Sequence, residues 1–128
     1  MKILADTEVI LWWLTDDPRL SLRARTLLRD TDVQVFWSMA SALEVSILVS
    51  SGKMHIDGHL EPFFAMLLQE QNLTPLPITQ IHCAQLARLP RTHLEPIDRL
   101  LVAQSMVEDI PLLTANTRLG VFDVELVW

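Results

Sequence analysis

Short apolar runs of strand character alternate along this chain with longer stretches of helical periodicity. That alternation restricts the fold more than any other feature. Lys2-Ile3-Leu4-Ala5-Asp6 reads as a short buried strand that ends on a carboxylate. Thr7 can cap the next element, and Val9 to Leu14 fits a short buried helix that stops at Asp16-Asp17-Pro18. Ser21 opens a second helix with Leu22, Ala24, Leu27 and Leu28 on its apolar side and Arg23, Arg25 and Arg29 exposed. Val33 to Trp37 is a second strand by its β-branched and aromatic content. Ser38 then caps a helix running to about Ser51, ended by Gly52.

Leu60 to Gln71 is amphipathic and helical. Leu73 to Ile78 is extended, and its two prolines suit a sheet edge, since proline cannot donate to a ladder. Thr79 caps a helix that ends before Pro90, and Arg91-Thr92-His93-Leu94 forms a loop. Pro96 has the fixed φ and missing N–H that suit a first helical position, and Ile97 to Glu108 continues with a broad buried face. Ile110 to Thr114 is a strand, and Val121 to Trp128 supplies a last one around Val124 to Val127. Strands alternating with helices predict an α/β fold, a parallel sheet covered on both faces. The 128 residues suit one domain spanning 1–128, with no repeat or linker.

Composition narrows the class. Half the residues are hydrophobic, yet no apolar run approaches the ~20 residues of a membrane span. No secretory leader is expected, because the first residues run straight into a strand. The single cysteine, Cys83, excludes an internal disulfide and suits a reducing, cytoplasmic setting. A net charge of −6 argues against attachment to nucleic acid through bulk positive charge. It leaves a nuclease open, because divalent cations can supply positive charge locally.

Ligands in such folds gather beyond the carboxyl ends of the strands. Asp6 and Asn116 leave strand ends, Asp98 starts a helix, and Glu44 lies in a helix so apolar that an unpaired carboxylate there needs explanation. Oxygen ligands from separate elements suit a hard cation such as Mg²⁺ or Mn²⁺. His55, His59, His82 and His93 fit no zinc spacing, and three glycines leave no phosphate-binding loop. Trp12, Trp13 and Trp37 sit among apolar neighbours and are expected in the core or an interface. A phospho-acceptor receiver would need a late lysine, and none follows Lys53. A carboxylate cluster with a metal would polarise a phosphoryl oxygen and activate water, the chemistry of phosphodiester hydrolysis.

Over nearly its full length the chain resembles PIN-domain proteins of the VapC toxin type. The matching stretches are Leu4-Ala5-Asp6-Thr7, Leu11-Trp12-Trp13-Leu14, Asp17-Pro18-Arg19-Leu20-Ser21, Ser41-Ala42-Leu43-Glu44-Val45, Gly52-Lys53, Leu76-Pro77-Ile78-Thr79 and, above all, Glu95-Pro96-Ile97-Asp98-Arg99-Leu100-Leu101-Val102-Ala103-Gln104. The resemblance implies a three-layer α/β/α sandwich with a central, mostly parallel sheet. It implies a Mg²⁺- or Mn²⁺-dependent endoribonuclease, the toxin of a VapBC-type pair, with an RNA substrate, a VapB-like antitoxin partner and a homodimeric state. Asp6, Glu44 and Asp98 fall on the family's acidic positions as catalytic and metal residues. Thr7 and Thr114 would support them, and Arg99 would pair with the acids or touch phosphate. Two positions depart from the pattern. Glu95 stands where relatives often carry Asp, and Asn116 follows the late threonine where a fourth acid is common, so its amide would complete the metal set with one charge fewer. The alternative implied by Asn116 is a weakened or silent PIN domain that acts by binding a partner or RNA.

Overall fold

The computed structural model describes residues 1–92 and 94–128; the histidine at 93, expected in a loop, lies outside them. Five strands form one wholly parallel sheet in the order β3-β2-β1-β4-β5. They are β1 (Lys2–Ala5), β2 (Gln34–Ser38), β3 (Thr74–Leu76), β4 (Leu112–Leu113) and β5 (Leu126–Val127). The helices are α1 (Thr7–Leu14), α2 (Leu22–Arg29), α3 (Met39–Ser50), α4 (Leu60–Gln69), α5 (Gln80–Arg88) and α6 (Pro96–Glu108). β3, with Pro75, is an edge strand, where proline's missing N–H costs no ladder bond.

The two faces of the sheet separate the core into two clusters, because successive strand side chains point to opposite sides. Ile3, Ala5, Val35, Trp37 and Leu113 face one side with Val9, Ile10, Ala24 and Leu67 of α1, α2 and α4. Leu4, Leu112 and Leu76 face the other with Leu101, Val102 and Leu89 from the α5–α6 side. α3 bridges them, placing Val45 in the first cluster and Ala40 in the second. Helix, sheet and helix make the expected three layers.

The strand order explains the layering. From β1 through β2 to β3 the chain steps one way across the sheet; from β3 it crosses back past β1 to β4. Right-handed crossovers in opposite directions place their helices on opposite faces. The reversal leaves a crevice at the carboxyl ends of β1 and β4, the switch point at which open α/β sheets take their ligands.

Local signals placed most helix ends. Ser21, Ser38 and Thr79 cap α2, α3 and α5 through side-chain oxygens that accept from Ala24, Ala40 and His82 N–H groups. At α1 the reading shifts: Asp6 is the cap and Thr7 the first helical residue. Leu22 is 80% exposed, and Arg25 is drawn inward onto Asp16, 2.5 Å away, and the Asp17 carbonyl. β4 and β5 are shorter than their apolar runs, and Thr117–Val121, unassigned in the sequence, is a 3-10 helix capped by Asn116.

A buried polar network ties the α5–α6 layer to the start of α3. The Ser38 hydroxyl donates to Gln104 Oε1, and Gln104 Nε2 donates to the Pro77 carbonyl at 3.3 Å. His82 Nδ1 accepts from Thr79 N–H at 3.0 Å, leaving Nε2 to donate to Glu108 at 3.4 Å. Among the described residues every buried side-chain nitrogen and oxygen has a partner. Gln104→Leu keeps the volume but strands the Ser38 hydroxyl and the Pro77 carbonyl, at ~1–3 kcal/mol for each buried group. We expect it to destabilise the fold by about 2–4 kcal/mol, read as a lower urea midpoint at unchanged slope. A loss under ~0.5 kcal/mol would show that the network is not holding the layers.

Candidate metal centre

Asp6 leaves β1 at the switch point, and the fold uses both of its oxygens. Oδ1 accepts from the Thr7 backbone N–H at 2.7 Å, and Oδ2 accepts from the Thr114 hydroxyl at 2.7 Å, across 108 positions of sequence. Thr114 leaves β4, the neighbouring strand, and its Oγ1 also accepts from Asn116 N–H at 3.0 Å. The Asp6 backbone N–H donates to the Leu113 carbonyl, which clamps the two strand ends together. Only 6% of Asp6 is exposed. Burial pushes its carboxyl above the ordinary range, and the Thr114 and Thr7 hydrogen bonds pull the other way.

Three further acids, Glu8, Glu44 and Asp98, meet it in one cavity of about 400 Å³, lined also by Trp12, Ala115, Asn116 and Arg118. Glu44 projects from α3, and the Thr7 hydroxyl donates to Ser41 one turn earlier at 2.8 Å, joining α1 to α3. Asp98 is the third residue of α6, whose cap, Glu95, makes no side-chain cap bond. Burial raises the Glu44 carboxyl, Thr7 partly offsets this, and Asp6, Glu8 and Glu95 raise it further. Asp98 is pushed up to about 6, first by burial and then by Asp6 and Glu44, with Arg118 opposing them. These acids repel one another in the absence of a cation.

Of the residues singled out in the sequence, Asp6, Glu44, Asp98 and Asn116 line this cavity. Thr7 and Thr114 lie behind Asp6, and Glu95 is an exposed neighbour whose charge reaches Glu44. Asn116 uses its side-chain oxygen locally, accepting from Arg118 N–H at 3.2 Å and Nε at 3.4 Å. Arg99 turns elsewhere: its guanidinium donates to Pro90 O at 2.7 Å and reaches the Leu86 and Leu89 carbonyls and Thr92. Among the described residues it makes no ion pair with an acid; it secures the end of α5 and the chain beyond it.

Sequence reading left four linings of the cavity out of the site: Glu8, Trp12, Ala115 and Arg118. Trp12, expected in the core or an interface, packs against the core and is half-buried at the cavity wall, with the Arg19 guanidinium 4.8 Å above its ring. Arg118 was not singled out, although its spacing two residues beyond Asn116 and four beyond Thr114 was visible.

Among the described residues no three His, Cys, Asp or Glu side chains are gathered into a set that holds an ion unaided. The donors still suit one kind of ion. Hard carboxylate oxygens with excess negative charge, around a space wide enough for water, match a cation that keeps several waters and takes one or two carboxylates directly. They do not match a dry cage or a soft metal.

Comparison with known proteins agrees with this architecture. A search of curated protein sequences found no match. Among solved structures the fold is similar to VapBC2 of Rickettsia felis, crystallised bound to a DNA fragment from its promoter, at TM-score 0.74 and 14% identity over 99% of this chain and 98% of that one. It is similar to FitAcB of Neisseria gonorrhoeae at TM-score 0.69 and 20% identity, covering 98% and 96%. A toxin–antitoxin complex of Klebsiella pneumoniae gives TM-score 0.66 and 18% identity, again covering 98% and 96%. At these identities the likeness establishes the shared fold. The family model for the PIN domain matches residues 3–124, from inside β1 to beyond the 3-10 helix, so the stretch it spans contains every acid of the cavity, and the chain belongs to the PIN domain family.

Proposed function

We propose that this PIN domain is a metal-dependent endoribonuclease, the toxin of a VapBC-type toxin–antitoxin pair. The observation that carries the reading is the convergence of Asp6, Glu44 and Asp98, from three separate elements, on one cavity where burial raises all three carboxyls and neighbouring acids raise Glu44 and Asp98 further. Such a site stores repulsion that a divalent cation relieves. Asp6, Asp98 and Glu44 would hold Mg²⁺ or Mn²⁺, one or two of them directly and the rest through its waters, while the Asn116 oxygen stays with Arg118. When bound, the cation supplies Lewis-acid polarisation of a phosphoryl oxygen and acidifies a nearby water.

The chain's own groups do the rest. Thr114 and Thr7 keep Asp6 in one orientation from opposite sides, so its charge is fixed before substrate arrives. Glu44, tethered by the Thr7–Ser41 contact on its helix, orients the attacking water. Asp98 lines the same cavity and offers a carboxylate oxygen that can take that water's proton. The antitoxin partner is proposed from the solved toxin–antitoxin complexes of the same fold. A homodimer is proposed with the exposed Leu43 and Ile47 of α3 and Ile81 of α5 as available apolar surface. A cytoplasmic location goes with the exposed free thiol of Cys83. Among the described residues no helix is long and apolar enough to cross a membrane.

The test is cleavage of a mixed single-stranded RNA panel by purified protein with Mg²⁺ or Mn²⁺, beside an EDTA control. Cutting that requires the metal supports the nuclease. One observation favours a second reading, a silent PIN fold that acts by binding: the Asn116 oxygen is already occupied by Arg118. RNA binding with no cutting under either metal would select that reading.

A further inference from the structure

Granted the nuclease reading above, the acid-lined cavity must still hold a polyanion on a chain of net charge −6. Among the described residues one cation lines it, Arg118. Other arginines near this end of the fold are committed. Arg19 grips Asp17 through Nε at 3.1 Å and a terminal nitrogen at 2.8 Å. Arg25 is bound to Asp16 and to the Asp17 carbonyl, and Arg99 to carbonyls at and beyond the end of α5.

Arg118 is anchored at its backbone and at one guanidinium nitrogen. Its backbone N–H and Nε share Asn116 Oδ1, which aims the guanidinium. Among the described residues its two terminal nitrogens donate to nothing, and it forms no salt bridge with Asp6, Glu8, Glu44 or Asp98, although it lines the same cavity. A guanidinium held by Nε, with both terminal N–H₂ groups free, presents the planar fork that matches two phosphate oxygens.

We propose that Arg118 binds the non-bridging oxygens of the scissile RNA phosphate, and that Asn116 is kept as an amide to aim it. An aspartate at 116 would pair with Arg118 by charge and draw the fork out of use. Removing Arg118 therefore has opposite effects on the two ligands of the site. The divalent cation loses a like charge beside it and binds more tightly, while the RNA loses its grip and binds more weakly. A purely structural residue would weaken both.

The experiment compares wild type, Arg118→Ala and Arg118→Lys as intact protein. Mn²⁺ alone is titrated, a short fluorescent single-stranded RNA is bound with Ca²⁺ in place of Mn²⁺ to hold cleavage back, and kcat and KM are measured with Mn²⁺. Arg118→Ala should bind Mn²⁺ about threefold tighter, bind RNA about tenfold weaker and cut at least about 100-fold more slowly. Arg118→Lys should recover most of the binding but not kcat, because a point charge lacks the fork. Unchanged RNA affinity and kcat in Arg118→Ala, with wild type active, overturn the role of Arg118 alone. Weakened Mn²⁺ and RNA binding together, with a lower melting temperature, make it a structural residue and overturn it too. A wild type that neither binds nor cuts RNA overturns the nuclease reading, and the role of Arg118 with it.

Discussion

Asp98→Asn is expected to cut RNA cleavage by about 10²–10³-fold while leaving the melting temperature at or above that of the wild type. The two halves of this result have one cause. Asp98 stands in the first turn of α6, where a negative charge gains ~0.3–1 kcal/mol from the helix dipole. The same charge lies beside Asp6 and Glu44 in a half-buried cavity, and its carboxyl is raised from 3.8 to about 6. Two pKa units correspond to ~3 kcal/mol. Solvent reaches this side chain, so screening reduces the usable part to about 1 kcal/mol. Burial and repulsion together thus match or exceed the helix-dipole gain, and the amide, nearly the same shape, keeps the fold. What it loses is the charge that binds the cation and the oxygen that takes a proton. The check pairs cleavage kinetics with thermal unfolding in EDTA. A fall of several degrees in the variant would make Asp98 a helix-stabilising residue and move the site's centre away from α6.

The second large effect is a reversal of pH dependence by metal. A carboxyl raised by folding binds more protons in the folded than in the unfolded chain between the two pKa values. Stability from this source is full below about pH 4 and falls as pH rises through about 6, the window set by Asp98. Asp6 and Glu44 are raised too and act in the same direction. In EDTA the protein should therefore melt at a lower temperature at pH 7.5 than at pH 5.5. A divalent cation binds the ionised acids and should invert that order. At ~100 times its dissociation constant it adds about 2.7 kcal/mol. For a chain of this length that is a rise of roughly 10 °C at pH 7.5, and much less at pH 5.5, where protons compete. Calorimetry at both pH values with and without Mn²⁺ reads all four numbers. A melting temperature that ignores Mn²⁺ at pH 7.5 would remove the metal from this cavity. Asp98→Asn should flatten both the pH slope and the metal response.

Reading residues in order reached far into this structure where the cause is local. Ser21, Ser38 and Thr79 cap helices because a short oxygen-bearing side chain can satisfy an N–H two or three residues on, whatever the rest of the chain does. Pro96 opens α6 and Pro75 marks an edge strand because a missing N–H excludes the alternatives. The parallel sheet was legible in the alternation of elements, and the acidity of Asp6, Glu44 and Asp98 was plain. The ends of weak elements were less legible. β4 and β5 keep only two ladder residues each, and the 3-10 helix at Thr117–Val121 depends on the Asn116 cap and on burial of Leu119.

Strand order was beyond reach of the sequence, because it is decided by contacts between distant residues. Placing β4 beside β1 brings Thr114 to Asp6, and no periodicity encodes a hydrogen bond spanning 108 positions. Side-chain direction was equally hidden. Arg99 and Arg118 are both arginines near site residues, yet one caps carbonyl oxygens and the other lines the acidic cavity. Sequence by itself determined the kinds of element, their caps and the acids available to a cation. Tertiary structure decided which acids meet, which are raised, and which arginine stands with them, because burial and proximity exist only after the chain has crossed back over its first strand.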